Sequence, residues 1–128
     1  MKITTIGLDI AKRFFHVVCC NDQGRLVRKK MLKRTQVLAF FETQPSCLVA
    51  LEACATSHYW AREIQKCGHK VKLIPPQHVK AFLIGNKNDY NDALAIAVAV
   101  KQPHIKSVGI KSIEQQDNQA QHNTKRES

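Results

Sequence analysis

The stretch that decides the fold is KITTIGLDIAKRFFHVVCC, residues 2–20. Its two halves are rich in β-branched and apolar residues, which favour strands, and a short break at residues 11–13 separates them. A turn signal follows at residues 21–24, and the next segment, RLVRKKMLKR (25–34), alternates cations with apolar side chains. We predict from this pattern three consecutive strands joined by short turns, and therefore antiparallel to one another.

Further along the chain, helical and strand patterns alternate. Thr35 is a candidate N-cap for a helix over residues 35–44, and Thr56 or Ser57 for a second helix that ends near Gly68. Short apolar runs at 47–53 and 69–75 predict two more strands, each entered from a helix and therefore parallel. Two final helices are predicted over 77–85, after Pro76, and from Asp89 to Pro103, so the order is β-β-β-α-β-α-β-α-α.

Composition narrows the class of protein. The 128 residues carry 20 Lys and Arg against 10 Asp and Glu, a net charge of +10, which favours a polyanionic partner such as nucleic acid. The five cysteines form no C-x-x-C pair and the histidines are scattered, which predicts reduced core thiols and no structural zinc. No apolar run approaches the roughly 20 residues of a membrane span, and the N-terminus lacks a signal-peptide layout. We therefore expect no membrane partner and a cytoplasmic location.

Four acidic residues occupy unusual positions. Asp9 lies in an apolar strand and Glu52 ends another, where an unpaired carboxylate is costly unless it meets a cation or water. Asp89 and Asp92 lie three residues apart at a helix start and can project to one side. Acids in a first turn also serve as caps, so that interpretation stays open for this pair. Carboxylates from neighbouring strand ends and one helix turn are suited to hold Mg²⁺ or Mn²⁺ for phosphoryl transfer.

A run of cations follows the second strand. These side chains either contact nucleic-acid phosphates or are solvated on an edge strand, where lysines prevent aggregation, and both interpretations stay open. Three further cations flank the acids and are either phosphate ligands or solvated. His16, Tyr59 and Trp60 are predicted to be core residues. The predicted nucleic-acid-binding residues are Lys12, Arg13, Arg25, Arg28, Lys29, Lys30, Lys33, Arg34 and Lys87.

Four segments carry a resemblance to a known family: GLDIAKRFFHV, LEAC-x-x-SHYWAREI, GHKVKLIPPQHVKAF and NKNDYNDALAIA. They resemble the N-terminal domain of the DEDD transposases of the insertion sequence 110 family, relatives of the Piv invertase. The resemblance implies an α/β, RNase H-like (RuvC-type) fold with a mixed five-stranded sheet flanked by helices. It also implies that Asp9, Glu52, Asp89 and Asp92 are the catalytic acids that bind Mg²⁺ (or Mn²⁺). Partners implied in the same way are DNA, a structured guide RNA and further copies of the chain.

The C-terminal end departs from that family, whose members continue into a long helical stretch and a domain with a serine nucleophile. We therefore expect an RNase H-like domain over residues 1–111, a polar tail or truncated helix over 112–128, and a chain truncated before the serine domain. The leading hypothesis is a transposase domain for metal-dependent DNA strand cleavage and exchange. The alternatives are a catalytically incomplete remnant that only binds nucleic acid, which leaves enzyme activity open, and a stand-alone nuclease or junction resolvase of the same fold.

Overall fold

The N-terminal segments form three strands, β1 (Thr5–Ile10), β2 (Phe14–Cys20) and β3 (Leu26–Lys33). The structure, a computed structural model, describes residues 2–85 and 88–117, so the predictions for Lys87 and for residues 118–128 lie outside the described residues. At the turn between β2 and β3, Asn21 Oδ1 accepts the N–H groups of Gln23 and Arg25, both at 3.0 Å. Gly24 adopts φ 78° there, a conformation that favours glycine.

The sheet has the predicted mixed topology. Its strand order is β3-β2-β1-β4-β5, with β4 (Leu48–Glu52) and β5 (Lys70–Ile74) added beyond β1. β1 pairs antiparallel with β2, and β2 with β3, whereas the pairs β1·β4 and β4·β5 are parallel. The prediction of three antiparallel strands followed by two parallel additions is confirmed, and β1 and β4 are neighbours.

Helices cover both faces of the sheet. The first face carries α1 (Val37–Thr43) and α2 (Ser57–Lys66), and Trp60 of α2 packs edge-on against Phe15 at 4.9 Å between ring centroids. The second face carries α3 (Pro76–Ala81) and α4 (Asp89–Ala99). Strand side chains alternate between these faces, so odd and even positions of β2 belong to different cores.

Helix α4 lies unusually close to β1 because small residues meet at the contact. Gly7 of β1 faces the backbone of Ala93, and a Cβ built at Gly7 would overlap the Ala93 carbonyl oxygen. The same Cβ would lie 3.0 Å from both the backbone nitrogen and the Cβ of Ala97. This close approach allows the first turn of α4 to lie near the end of β1.

Several local predictions need correction. Thr35 does not cap α1: a 3-10 turn, Arg34–Gln36, precedes the helix, and the Lys33 N–H donates to Gln36 Oε1 at 2.9 Å. Tyr59 is 47% exposed, so the core prediction holds for Trp60 and is wrong for Tyr59, which points outward on α2. Helix α3 ends at Ala81, short of Gly85. All five cysteines are free, although Cys54 is exposed.

The segment after α4 returns to the domain. Val108 forms an isolated antiparallel bridge with Leu73, and the Lys111 N–H donates to His58 Nδ1 at 3.1 Å. Arg62 donates to the Lys111 carbonyl and to Gln116 Oε1, and residues 113–117 are helical. The domain boundary at residue 111 stays a prediction. None of the helices within residues 2–85 and 88–117 has the length and apolarity needed to cross a membrane.

Candidate metal centre

Two of the predicted acids lie at the same end of neighbouring parallel strands. The β1·β4 ladder runs to Leu8 opposite Leu51, so Asp9 and Glu52 follow at the next position of each strand. Side chains alternate along a strand, so Asp9 lies on the same face of the sheet as Gly7, and Glu52 on the same face as Ala50. Gly7 and Ala50 both pack against α4. Both residues are half-buried, and both lie on the α4 side of the sheet.

The other two acids occupy the first turn of α4. The N-cap of this helix is Asn88, whose Oδ1 accepts the Asn91 N–H at 2.8 Å. The capping function that sequence allowed for Asp89 and Asp92 is therefore carried by Asn88. The helix dipole still favours negative charge at this end, which helps to hold two carboxylates beside those of the sheet.

The carboxylates of Asp9 and Asp89 converge. One oxygen of each, together with a ring nitrogen of His16, lies within a mutual distance of 4.8 Å. Burial, the charges of Asp89 and Asp92, a hydrogen bond with the Asp89 carboxyl and the charge of Glu52 raise the pKa of Asp9 to about 7. The other three predicted acids are thus all close enough to Asp9 to raise its pKa.

His16 belongs to this cluster, although sequence reasoning assigned it to the core. It lies directly opposite Asp9 in the antiparallel register, is 9% exposed, and packs edge-on against the Tyr90 ring at 4.8 Å. Its Nδ1 lies 3.6 Å from Asp89 Oδ2 and has no hydrogen-bond partner among the described residues. No reliable sequence signal existed for this pairing: a three-residue break at residues 11–13 would place Phe15 opposite Asp9, whereas the register pairs Ile10 with Phe15 and therefore Asp9 with His16.

A cavity of about 330 Å³ adjoins the cluster between the end of β4 and helices α3 and α4. Glu52 and Asp92 contribute to its wall, as does Lys80 of α3. Lys80 was not among the predicted site residues, because nothing in the pattern of α3 distinguishes it from a solvated lysine. Its position places a cation beside two of the four acids.

The donor set fits a hard divalent cation. Carboxylate oxygens are the ligands that Mg²⁺ and Mn²⁺ take in proteins, and crowded carboxylates repel one another unless a proton or a cation lies between them. The raised pKa of Asp9 and the buried, unpartnered Nδ1 of His16 both mark a place where a cation would be stabilised. Asp9 and Asp89 are placed to hold such a cation, with Glu52 and Asp92 beside them at the cavity.

The predicted nucleic-acid-binding residues do not form one surface. In the β2·β3 register Lys29 lies opposite Val18 and therefore shares the α4 face with the acids, as Lys33 does. Arg28 and Lys30 point to the opposite face, where Lys30 lies 5.3 Å from the centroid of the Phe40 ring. The remaining described members of the set are exposed: Lys12 and Arg13 after β1, Arg25 before β3, and Arg34 after it.

The fold is that of RuvC. A structure titled "T. thermophilus RuvC in complex with Holliday junction substrate" aligns with a TM-score of 0.61 and 16% identity, covering 83% of this chain and 99% of that one. A second, "Thermus thermophilus RuvC structure", aligns with a TM-score of 0.61 and 15% identity over 81% and 99% of the two chains. The RNase H-like (RuvC-type) α/β fold is confirmed.

Sequence comparison identifies the family. The model of the IS110-type DEDD transposases matches residues 6–121, and the chain belongs to this family. It is 47% identical over 122 residues to a "Probable family 20 transposase" of Pseudomonas aeruginosa, covering 95% of this chain and 36% of that protein. It is 41% identical over 121 residues to the "Transposase for insertion sequence element IS1328" of Yersinia enterocolitica, covering 94% and 36%. The chain thus spans about a third of the length of these curated relatives.

Proposed function

We propose that the chain provides the metal-binding catalytic domain of a DNA transposase, which cleaves and exchanges DNA strands when an insertion sequence moves. The observation that carries this proposal is the convergence of Asp9, at the end of β1, with Asp89, in the first turn of α4. Membership of the DEDD transposase family supports the same function.

Each acid has a distinct part in this proposal. Asp9 and Asp89 each place one oxygen within 4.8 Å of the other and are assigned to one cation, whereas Glu52 and Asp92 extend the site into the adjoining cavity. A divalent cation supplies electrostatic stabilisation of the charge that develops at a phosphodiester during cleavage. The chain's own task is to hold the carboxylates at fixed spacing, which the rigid strand ends and the capped helix start provide.

DNA is the proposed substrate. The net charge of +10 favours a polyanion, and Lys29 and Lys33 share the face of the acids, where phosphates would pass. Lys80 supplies a third cation at the cavity. The solved RuvC relative, whose title names a Holliday junction substrate, makes branched DNA the first substrate to test.

The experiment is a cleavage and binding assay on a four-way DNA junction with Mg²⁺, Mn²⁺ or EDTA. Wild type is compared with Asp9→Asn, which keeps the size of the side chain and removes its charge. Asp22→Asn is the matched control, because Asp22 is exposed in the β2–β3 turn away from the cluster. Cleavage that requires metal, survives Asp22→Asn and is lost in Asp9→Asn supports the proposal.

A binding-only domain is the competing function, and the same assay separates the two. Junction binding that metal does not change, and that has equal affinity for wild type and Asp9→Asn at every metal concentration, contradicts a metal-dependent centre. The guide RNA and the homo-oligomer that the resemblance implies are further parts of the proposal, and the excess of cations favours a polyanion such as RNA. Sedimentation of the chain alone and with a structured RNA from a neighbouring genomic sequence tests both.

A further inference from the structure

The histidine beside Asp9 and Asp89 has a buried ring nitrogen without a hydrogen-bond partner in the described part of the chain. His16 is 9% exposed, and its Nδ1 makes no hydrogen bond among the described residues. A buried polar atom without a partner is costly, so such an atom needs a reason to persist. The ring is held in place from one side by Tyr90, which packs edge-on against it.

This nitrogen points toward the acids. The β1·β2 register brings His16 opposite Asp9, and Nδ1 lies 3.6 Å from Asp89 Oδ2. That distance is too long for a hydrogen bond, so the two atoms face each other without bonding. Nδ1 and one oxygen from each of Asp9 and Asp89 lie within 4.8 Å of one another. Three donor atoms therefore surround one small volume.

The chemistry of the donor set distinguishes between cations. Mg²⁺ takes oxygen ligands almost exclusively, whereas imidazole nitrogen suits transition metals, above all Zn²⁺, Cu²⁺, Fe²⁺ and Ni²⁺. Mn²⁺ prefers oxygen, but as a transition metal it accepts one nitrogen ligand more readily than Mg²⁺ does. A site of two carboxylates and one imidazole therefore binds a transition-metal dication more tightly than Mg²⁺. Glu52 and Asp92 offer only oxygen, so a second cation on their side would have no such preference.

We propose that His16 Nδ1 is a third ligand, beside Asp9 and Asp89, of one divalent ion, and that it makes this position selective for Mn²⁺ over Mg²⁺. The inference rests on the proposed function, since it assigns a further ligand to the same centre. Histidine coordination requires the other ring nitrogen to carry the proton. The competing role for His16 is a simple ion pair with Asp89.

The test uses Mn²⁺ and Mg²⁺ as probes on the purified full chain. Electron spin echo spectroscopy of bound Mn²⁺ reports a nitrogen ligand directly in wild type, without any variant. Calorimetry then compares wild type with His16→Phe, which keeps a ring against Tyr90, and with His16→Asn, whose amide oxygen takes the place of Nδ1. His104→Gln is the control, because His104 is exposed and lies outside the cluster.

We expect nitrogen coupling in wild type and in His104→Gln and its loss in both His16 variants. Mn²⁺ affinity should fall about tenfold or more in His16→Phe. Removing a residue that only hydrogen-bonds to a metal ligand already has an effect of that size, and removing a ligand should have at least as large an effect. His16→Asn should retain Mg²⁺ binding and lose the preference for Mn²⁺. Mn²⁺ bound without nitrogen coupling, and equally by wild type and His16→Phe, would overturn this inference and leave a carboxylate centre intact. Failure of wild type to bind either ion overturns the proposed centre itself.

Discussion

Gly7 of β1 lies against the backbone of Ala93 of α4, with no room for a side chain between them. We expect Gly7→Ala to destabilise the fold by about 1–3 kcal/mol or more, the usual range for overpacking, because the added methyl must displace backbone. Urea unfolding measures the change. Since α4 carries Asp89 and Asp92, the variant should also bind metal more weakly than its loss of stability explains.

Gly109→Ala is the matched control, because a Cβ at Gly109 meets nothing within 4 Å and the residue has no positive φ. It should change stability by less than about 0.5 kcal/mol, as substitutions away from packed sites do. Equal stability of the two variants would show that α4 does not depend on the close approach at Gly7.

Removing one carboxylate should weaken metal binding. We expect Asp89→Asn to lower the affinity for Mn²⁺ by about tenfold or more, since even outer partners of ligands have effects of that size. Isothermal calorimetry provides the measurement, with Asp22→Asn as the control in an exposed turn. Equal affinity of wild type and Asp89→Asn for both Mn²⁺ and Mg²⁺ would remove Asp89 from the centre.

Metal-free protein should lose stability as pH rises through the range in which Asp9 titrates. Burial and the neighbouring acids raise the pKa of Asp9 from 3.8 to about 7, so between these values the folded state binds more protons than the unfolded state. Stability therefore falls with increasing pH over that range. Denaturation in EDTA from pH 4 to 8 should show this fall in wild type and in Asp22→Asn, and a smaller fall in Asp9→Asn.

The two faces of β3 should contribute differently to DNA binding. Lys29 and Lys33 share the face of the acids. We therefore expect the double variant Lys29→Gln/Lys33→Gln to bind DNA with a weaker salt dependence. The slope of log affinity against log salt concentration should become less steep by roughly 0.9 for each DNA phosphate that these lysines neutralise in wild type. The matched double variant, Arg28→Gln/Lys30→Gln, removes the same charge from the opposite face and should have a smaller effect. Equal slopes from fluorescence titrations at several salt concentrations would contradict this assignment of faces.

Local patterns predicted the elements and their order, because β-branched runs and turn residues determine strands largely through nearby sequence. They also predicted that Asp9 and Glu52 lie on adjacent strands, since a βα unit following a hairpin leaves few topologies. The predicted start of α1 was wrong because a 3-10 turn, Arg34–Gln36, places the N-cap at Gln36, which makes no side-chain cap hydrogen bond. Such a choice depends on side-chain geometry that residue type does not specify.

The positions of His16 and of the β3 cations relative to the acids could not be predicted for a different reason. Both depend on which face of the sheet a residue occupies, and a shift of one position in strand register exchanges the faces. The sequence shows Arg28, Lys29, Lys30 and Lys33 only as parts of one run of cations, whereas the alternation of side chains along β3 divides them between the two faces of the sheet. His16 is buried, as the apolar strand predicted, but its neighbour is Asp9.

The acids come from distant parts of the chain, with Asp9 in the first strand and Asp92 in α4. Bringing such distant segments together costs loop-closure entropy, which the packing of the whole domain must offset. A nascent chain in which α4 is still inside the ribosome therefore has no assembled cluster. The same holds for a proteolytic fragment that lacks either β1 or α4. Any metal binding that uses all four acids consequently requires the completely folded domain.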